Sequence, residues 1–134
     1  MGARRGAREL ALQALFFADM QTESRRDAVS LFREHFVSEG DSLPFFDTLV
    51  SGVLDYQDEI DAAISKHSKN WKVYRMSAVD RNVMRISAFE ILYLEEVPDK
   101  VAINEAIEIG KCYGTYESGA FINGILDAVS LGKE

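Results

Sequence analysis

The sequence predicts an all-α fold, one compact bundle of about six or seven helices in two small subdomains, and three observations predict it. Apolar residues recur at three- and four-residue spacing in nearly every segment. No segment sustains the apolar-polar alternation of a half-buried strand. Caps and breakers divide the chain at short intervals, and the segments do not repeat at the fixed period of a solenoid. With 134 residues, 47% of them hydrophobic, and two prolines, the chain is long enough to bury one core.

Ala7, Leu10, Ala11, Ala14, Phe17 and Ala18 define the buried stripe of a first helix over residues 3–20. Val29, Phe32 and Phe36 mark a second over 27–37, ended by Glu39-Gly40-Asp41-Ser42. Ser42 is the natural N-cap of the next helix, with Pro44 in its first turn, where a missing N–H costs nothing. From Phe46 to Ile64 the apolar pattern runs on, which predicts one long helix to about His67, with Gly52 inside it as a site of close packing. Residues 66–76 are polar around one large side chain, Trp71, and read as a link anchored by that ring between halves 1–68 and 77–134.

Ser77-Ala78-Val79-Asp80 has the form of a capping box, with Asp in place of Glu or Gln. The helix that follows to Leu94 is apolar nearly all round, as a central helix buried by several neighbours should be. Pro98 ends it and Asp99 caps the next, which stops at Gly114, read as a left-handed C-terminal residue. Gly110, one turn from Ala106, marks a close helix contact, while Asn104 and Glu105 are expected to cap or pair locally without a functional role. Ser118 caps the last helix, whose inner face is Ile122, Ile125, Leu126 and Val129.

Enzymatic constellations are absent from the sequence. There is no glycine-rich phosphate loop, nucleophile elbow or two-histidine motif, and one cysteine, Cys112, with two scattered histidines makes no zinc set. The chain therefore reads as a non-enzyme with no cofactor and no metal. No apolar run reaches the roughly 18 residues of a membrane span, and no apolar block follows the basic start as in a signal peptide. A cytoplasmic protein with no membrane contact is expected.

The formal charge of −7 argues against indiscriminate binding to nucleic acid, but its distribution is uneven. Residues 1–33 carry six arginines against four carboxylates, and the remainder nine basic against eighteen acidic residues. A basic end on an acidic body holds one anionic partner locally. Arg4, Arg5 and Arg8 form that end. At about 100° per residue, Leu12 and Phe16 fall within roughly 20° of Arg5, opposite the core stripe. Either another helix covers that side, or a ring stands at the surface beside guanidinium groups, as in sites where phosphates meet arginine and bases stack on rings. Phe121 flanks the inner face of the last helix, in the first turn behind Ser118, where free N–H groups favour an anion and Glu117 opposes one.

Arg4-Arg5-Gly6-Ala7-Arg8-Glu9 with Gln13-Ala14-Leu15-Phe16, Val79-Asp80-Arg81, the run VPDKVAINEAIEIGKCYG from Val97 and Phe121-Ile122-Asn123-Gly124-Ile125-Leu126-Asp127 resemble the NusB family of bacterial transcription antitermination factors. The resemblance covers essentially the whole chain. It implies an all-helical, non-enzymatic RNA-binding domain of two small subdomains. Family members bind boxA-like single-stranded RNA of ribosomal RNA leaders with NusE, a small-subunit ribosomal protein, within an antitermination assembly on RNA polymerase.

Carried over by position, the resemblance assigns RNA binding to Arg4, Arg5, Arg8, Phe16 and Phe121, and contact with NusE to Asp80. Arg85, one turn beyond Asp80, extends either surface, and Ser118 belongs with Phe121. With the family in view, both rings become stacking platforms. Gly6 and Ala120 stand where relatives often carry a basic residue, which removes two phosphate contacts. A second reading is therefore a docking module for NusE or for itself with little RNA affinity, including a homodimer that hides Leu12 and Phe16. An accessory domain of an RNA methyltransferase is disfavoured, since no catalytic domain is present in the sequence.

Overall fold

The central apolar segment becomes the axis of the fold. In the computed structural model, which describes residues 2–22 and 24–133, seven α-helices and one short 3₁₀ turn follow one another: α1 Gly2–Asp19, α2 Arg25–Phe36, α3 Leu43–Asp55, α4 Gln57–Lys66, the turn Val73–Arg75, α5 Ala78–Tyr93, α6 Asp99–Tyr113 and α7 Ser118–Gly132. There is no strand among the described residues. Helix α5 packs against α1, α3, α4, α6 and α7, and its ten residues from Asn82 to Ile91 are all buried, as an apolar pattern on every side requires. Among the described residues, no helix is long and apolar enough to cross a membrane.

Its start is set locally, where the Ser77 hydroxyl accepts from the Asp80 N–H at 3.1 Å. Helix α2 begins in the same way, with Ser24 accepting from Asp27. Gly52 and Gly110 are sites of close approach. A Cβ on Gly52 would lie 2.0 Å from the Phe89 ring, and one on Gly110 would lie 2.5 Å from Ile122.

Several boundaries differ from the sequence expectation. The long helix of residues 43–67 breaks at Tyr56, which leaves helical geometry and stacks on Tyr93 with ring centroids 4.3 Å apart. The break lets Val53 on one side and Ile60 and Ile64 on the other all reach the core. Trp71 is not the anchor of the link, being 53% exposed, while Val73 and Met76 are the side chains that pin it.

Pro98, not Asp99, is the N-cap of α6; Asp99 instead accepts from Ser130 and Lys133 and ties the start of α6 to the end of α7. Gly114 has φ of −104°, outside the left-handed region, and a Cβ there would meet the Ser118 hydroxyl at 2.3 Å. Ser42 precedes α3 as expected but makes no side-chain cap, because its hydroxyl donates to the Ala3 carbonyl and holds the start of α1.

Candidate RNA interface

Helix α1 is buried more widely than its expected stripe, since Leu12 and Leu15 join the core with the alanines and Leu10 and Phe17 lie at its edge. The side that carries Leu12 is covered, with Val83, Ile86, Ala106 and Ile109 of α5 and α6 around it. Leu12 therefore has no part in a surface that a second copy could hide. Phe16 keeps an exposed ring, at 38%, in a solvent-facing stripe with Gln13 and Met20.

The three arginines at the start of α1 have different fates. Arg4 is exposed and sits over the Phe45 ring, 4.5 Å from its centroid, with its charge unpaired among the described residues. Arg5 is partly exposed and grips Glu105 with two parallel hydrogen bonds, one of them from Nη2 to Oε2 at 2.9 Å. That grip holds the Glu105 carboxyl below its ordinary range and the Arg5 guanidinium above its own.

Arg8 is 4% exposed and forks onto Glu90 of α5, with Nη2 to Oε1 at 2.7 Å, while its Nη1 reaches Glu105 at 3.5 Å. Burial raises the Glu90 carboxyl, against the pull of Arg8. Arg8 is thus a buried pillar between α1 and α5 and presents no free edge to a phosphate. Gly6 beside them packs on the α2–α3 connection, where a Cβ would lie 3.0 Å from the Ser42 hydroxyl.

Arg85 is also enclosed. It forks onto Asp61 at 2.8 and 2.9 Å and donates to Asn82, so it braces α4 against α5 and reaches neither expected surface. Ser118 is 1% exposed, and its hydroxyl accepts from the Thr115 N–H at 3.0 Å. The residue capping α7 is Glu117, and Ser118 closes the α6–α7 turn from within.

Phe121 does stand at a surface. It packs against the core on one side and on the other lines a groove of about 630 Å³ with Trp71, Arg75, Met76, Asp80, Tyr116 and Ala120. Trp71 and Phe121 also wall an adjoining groove with His67, Lys69 and Asn70. Two rings therefore share one cleft, whose lining residues Lys69 and Arg75 are exposed with no ion pair among the described residues, as is Lys72 next to Trp71 in the chain. Asp80 lines the same cleft, and its buried Oδ1 has no hydrogen-bond partner among the described residues.

Arg81, next in the chain, donates to the Met76 carbonyl at 2.9 Å and to Asp19 at 2.9 Å, fixing the Trp71-bearing link to the end of α1. Gln13, in the exposed stripe of α1, lies beside the Tyr113 hydroxyl at the end of α6. Trp71, Lys69, Lys72 and Arg75 were missed as site candidates in the sequence. The signal was a basic run around a tryptophan in a segment with little helical character.

The NusB family model matches residues 5–131. The chain belongs to the NusB family. It is 57% identical to the transcription antitermination protein NusB of Desulfatibacillum aliphaticivorans, over 100% of this chain and 95% of that protein. It is 47% identical to its counterpart from Myxococcus xanthus, over 98% and 96%. Among solved structures, NusB of T. maritima superposes with a TM-score of 0.85 at 33% identity, covering 97% of this chain and 92% of that one. A crystal structure of antitermination factors NusB and NusE in complex with dsRNA contains a chain that superposes with a TM-score of 0.83 at 26% identity, covering 98% of both.

Proposed function

We propose that this chain is the non-enzymatic RNA-binding subunit of a bacterial transcription antitermination assembly on RNA polymerase. It acts in the cytoplasm, without cofactor, holding boxA-like single-stranded RNA of ribosomal RNA leaders together with NusE. The observation that carries the reading is the cleft between Trp71 and Phe121, with Arg75, Lys69 and Lys72 unpaired around it. Bases stack on the two rings and the backbone follows the cations, an arrangement suited to unpaired strands. Arg4, Arg5 and Phe16 extend the same path along α1, while Arg8, Arg85 and Ser118 position it from within. The relative solved with NusE supports the partner, and the dsRNA in that structure makes duplex RNA the natural competitor in any assay.

Each stacked base contributes about 1–3 kcal/mol. Trp71→Ala and Phe121→Ala are each expected to weaken binding of a short boxA-like RNA by about five-fold or more in fluorescence anisotropy, with circular dichroism unchanged. Unchanged affinity in both variants would remove the cleft from the RNA site.

Asp80 is the proposed contact for NusE, since its half-buried side chain lines the groove wall. Asp80→Lys should lose NusE while keeping the weak RNA binding of the chain alone. Retention of NusE by that variant takes Asp80 out of the interface. The second reading, a docking module with little RNA affinity, rests on the exposed apolar patch of Phe16, Met20 and Tyr113. It predicts NusE binding with no RNA binding in either the free or the NusE-bound state.

A further inference from the structure

The arginines at the start of α1 form a lip that is only partly free, since Arg5 and Arg8 are paired and Arg4, among the described residues, is not. Arg5 directs Nε and Nη2, the planar edge that would grip a phosphate, onto both oxygens of Glu105. Glu9 and Glu108 add their negative charge to the same guanidinium. Glu105 also reaches Arg8, whose remaining donors are taken by Glu90. The pair is partly open to solvent, the side chains being 38% and 23% exposed, so it is accessible to exchange.

We propose that Glu105 sets the RNA affinity of this chain, because its carboxylate occupies the phosphate-binding edge of Arg5 and RNA binds there by exchanging a phosphate for that carboxylate. This inference rests on the RNA-binding reading above. The exchange is isoelectric at Arg5, since one anion leaves the fork as another enters. The net gain from that arginine is therefore smaller than for a free one, and the freed Glu105 then lies close to the incoming phosphate. Arg4, which has no carboxylate partner among the described residues, makes its contact without such an exchange. The device gives the lip a low affinity alone and lets contacts elsewhere on the RNA or its partner decide whether the lip engages.

The test is RNA binding by the full chain, with and without NusE, comparing wild type with Glu105→Gln and Glu105→Ala by fluorescence anisotropy over a salt series. Exposed ion pairs are worth about 0.2–1 kcal/mol, so removing the competitor should tighten RNA binding roughly two- to five-fold. The dependence of log affinity on log salt should steepen by up to about 0.7, as Arg5 engages its phosphate in a larger share of the complexes and counterion is released there. In an Arg5→Ala background, Glu105→Gln should have no effect.

Glu108→Gln is the control, since it removes an equal charge near Arg5 that makes no hydrogen bond to it. Melting temperature, read alongside, identifies any variant that has lost its fold. Equal tightening by Glu108→Gln, or weaker binding by both Glu105 variants with melting temperature preserved, would overturn the inference while leaving the RNA reading intact. Absence of RNA binding in every variant, with and without NusE, would instead overturn the RNA reading and this inference with it.

Discussion

Arg5 and Arg8 are separated by one helical turn, yet the chemistry of each follows from its depth. Arg5 is a partly solvated cation whose loss leaves Glu105 facing water, a change of modest cost. Arg8 is enclosed with Glu90, whose side chain is 1% exposed. Arg8→Ala leaves that carboxylate buried and unpaired and should cost about 3–5 kcal/mol in urea unfolding. Arg5→Ala should shift stability by less than about 1 kcal/mol while weakening RNA. Equal stability of the two variants would contradict the distinction. Replacing both arginines together would therefore confound folding with binding. At this scale the sequence identified residue types correctly and depth poorly. The helical wheel put Arg8 on the side of Phe16, but it could not show that α5 supplies an acid 82 residues away. Glu105, expected to pair locally, finds Arg5 100 residues away.

Among the elements, α5 was the most legible, because a helix with neighbours all round carries apolar residues on every side, here with Asn82, Arg85, Ser87 and Glu90 buried among them, and its capping serine precedes it. The break between α3 and α4 left no such mark. Apolar spacing passes through Tyr56 without interruption, and what bends the chain there is stacking on a ring from another helix. In the link of residues 66–76 the one large apolar side chain, Trp71, is not the anchor that its size suggests. A hydrogen bond from the Arg81 guanidinium to the Met76 carbonyl and the buried side chains of Val73 and Met76 hold that segment, leaving the ring to face the groove.

Asp19 joins these elements. Burial would raise its carboxyl, but hydrogen bonds from Arg81, Asn82 and Arg25 bring it below its ordinary value of 3.8. A depressed carboxyl contributes stability that is complete above its unfolded value and lost as pH falls through its folded one. Asp19→Asn should therefore be less stable than wild type at neutral pH, and the gap should narrow below about pH 4 in urea titrations. A gap that stays constant down to about pH 2 would show that Asp19 does not carry this acid sensitivity.

For the whole molecule, the uneven charge seen in the sequence takes a different form in three dimensions. Much of the basic N-terminal segment is neutralised by its own fold, through Arg5 with Glu105, Arg8 with Glu90, Arg25 with Asp19, Arg26 with Asp55 and Arg33 with Asp47. Three cations without an ion pair among the described residues, Lys69, Lys72 and Arg75, instead lie in or beside the Trp71–Phe121 cleft, near where the end of α1 meets the start of α5. This is why the sequence revealed the fold class and the family, and located only part of the candidate site. Local spacing encodes helices, but the availability of a charge depends on which distant carboxylate the fold brings to it. The acidic remainder disfavours nonspecific coating, so affinity has to come from ring stacking and a few phosphate contacts.

The most direct test of the account is the binding of a short boxA-like single-stranded RNA to the intact chain by fluorescence anisotropy at low and physiological salt, with and without NusE and against a duplex competitor. The account predicts weak binding by the chain alone, tight salt-sensitive binding with NusE, and loss of that binding when Trp71 and Phe121 are both replaced by alanine. NusE binding with no RNA bound at either salt concentration would contradict it.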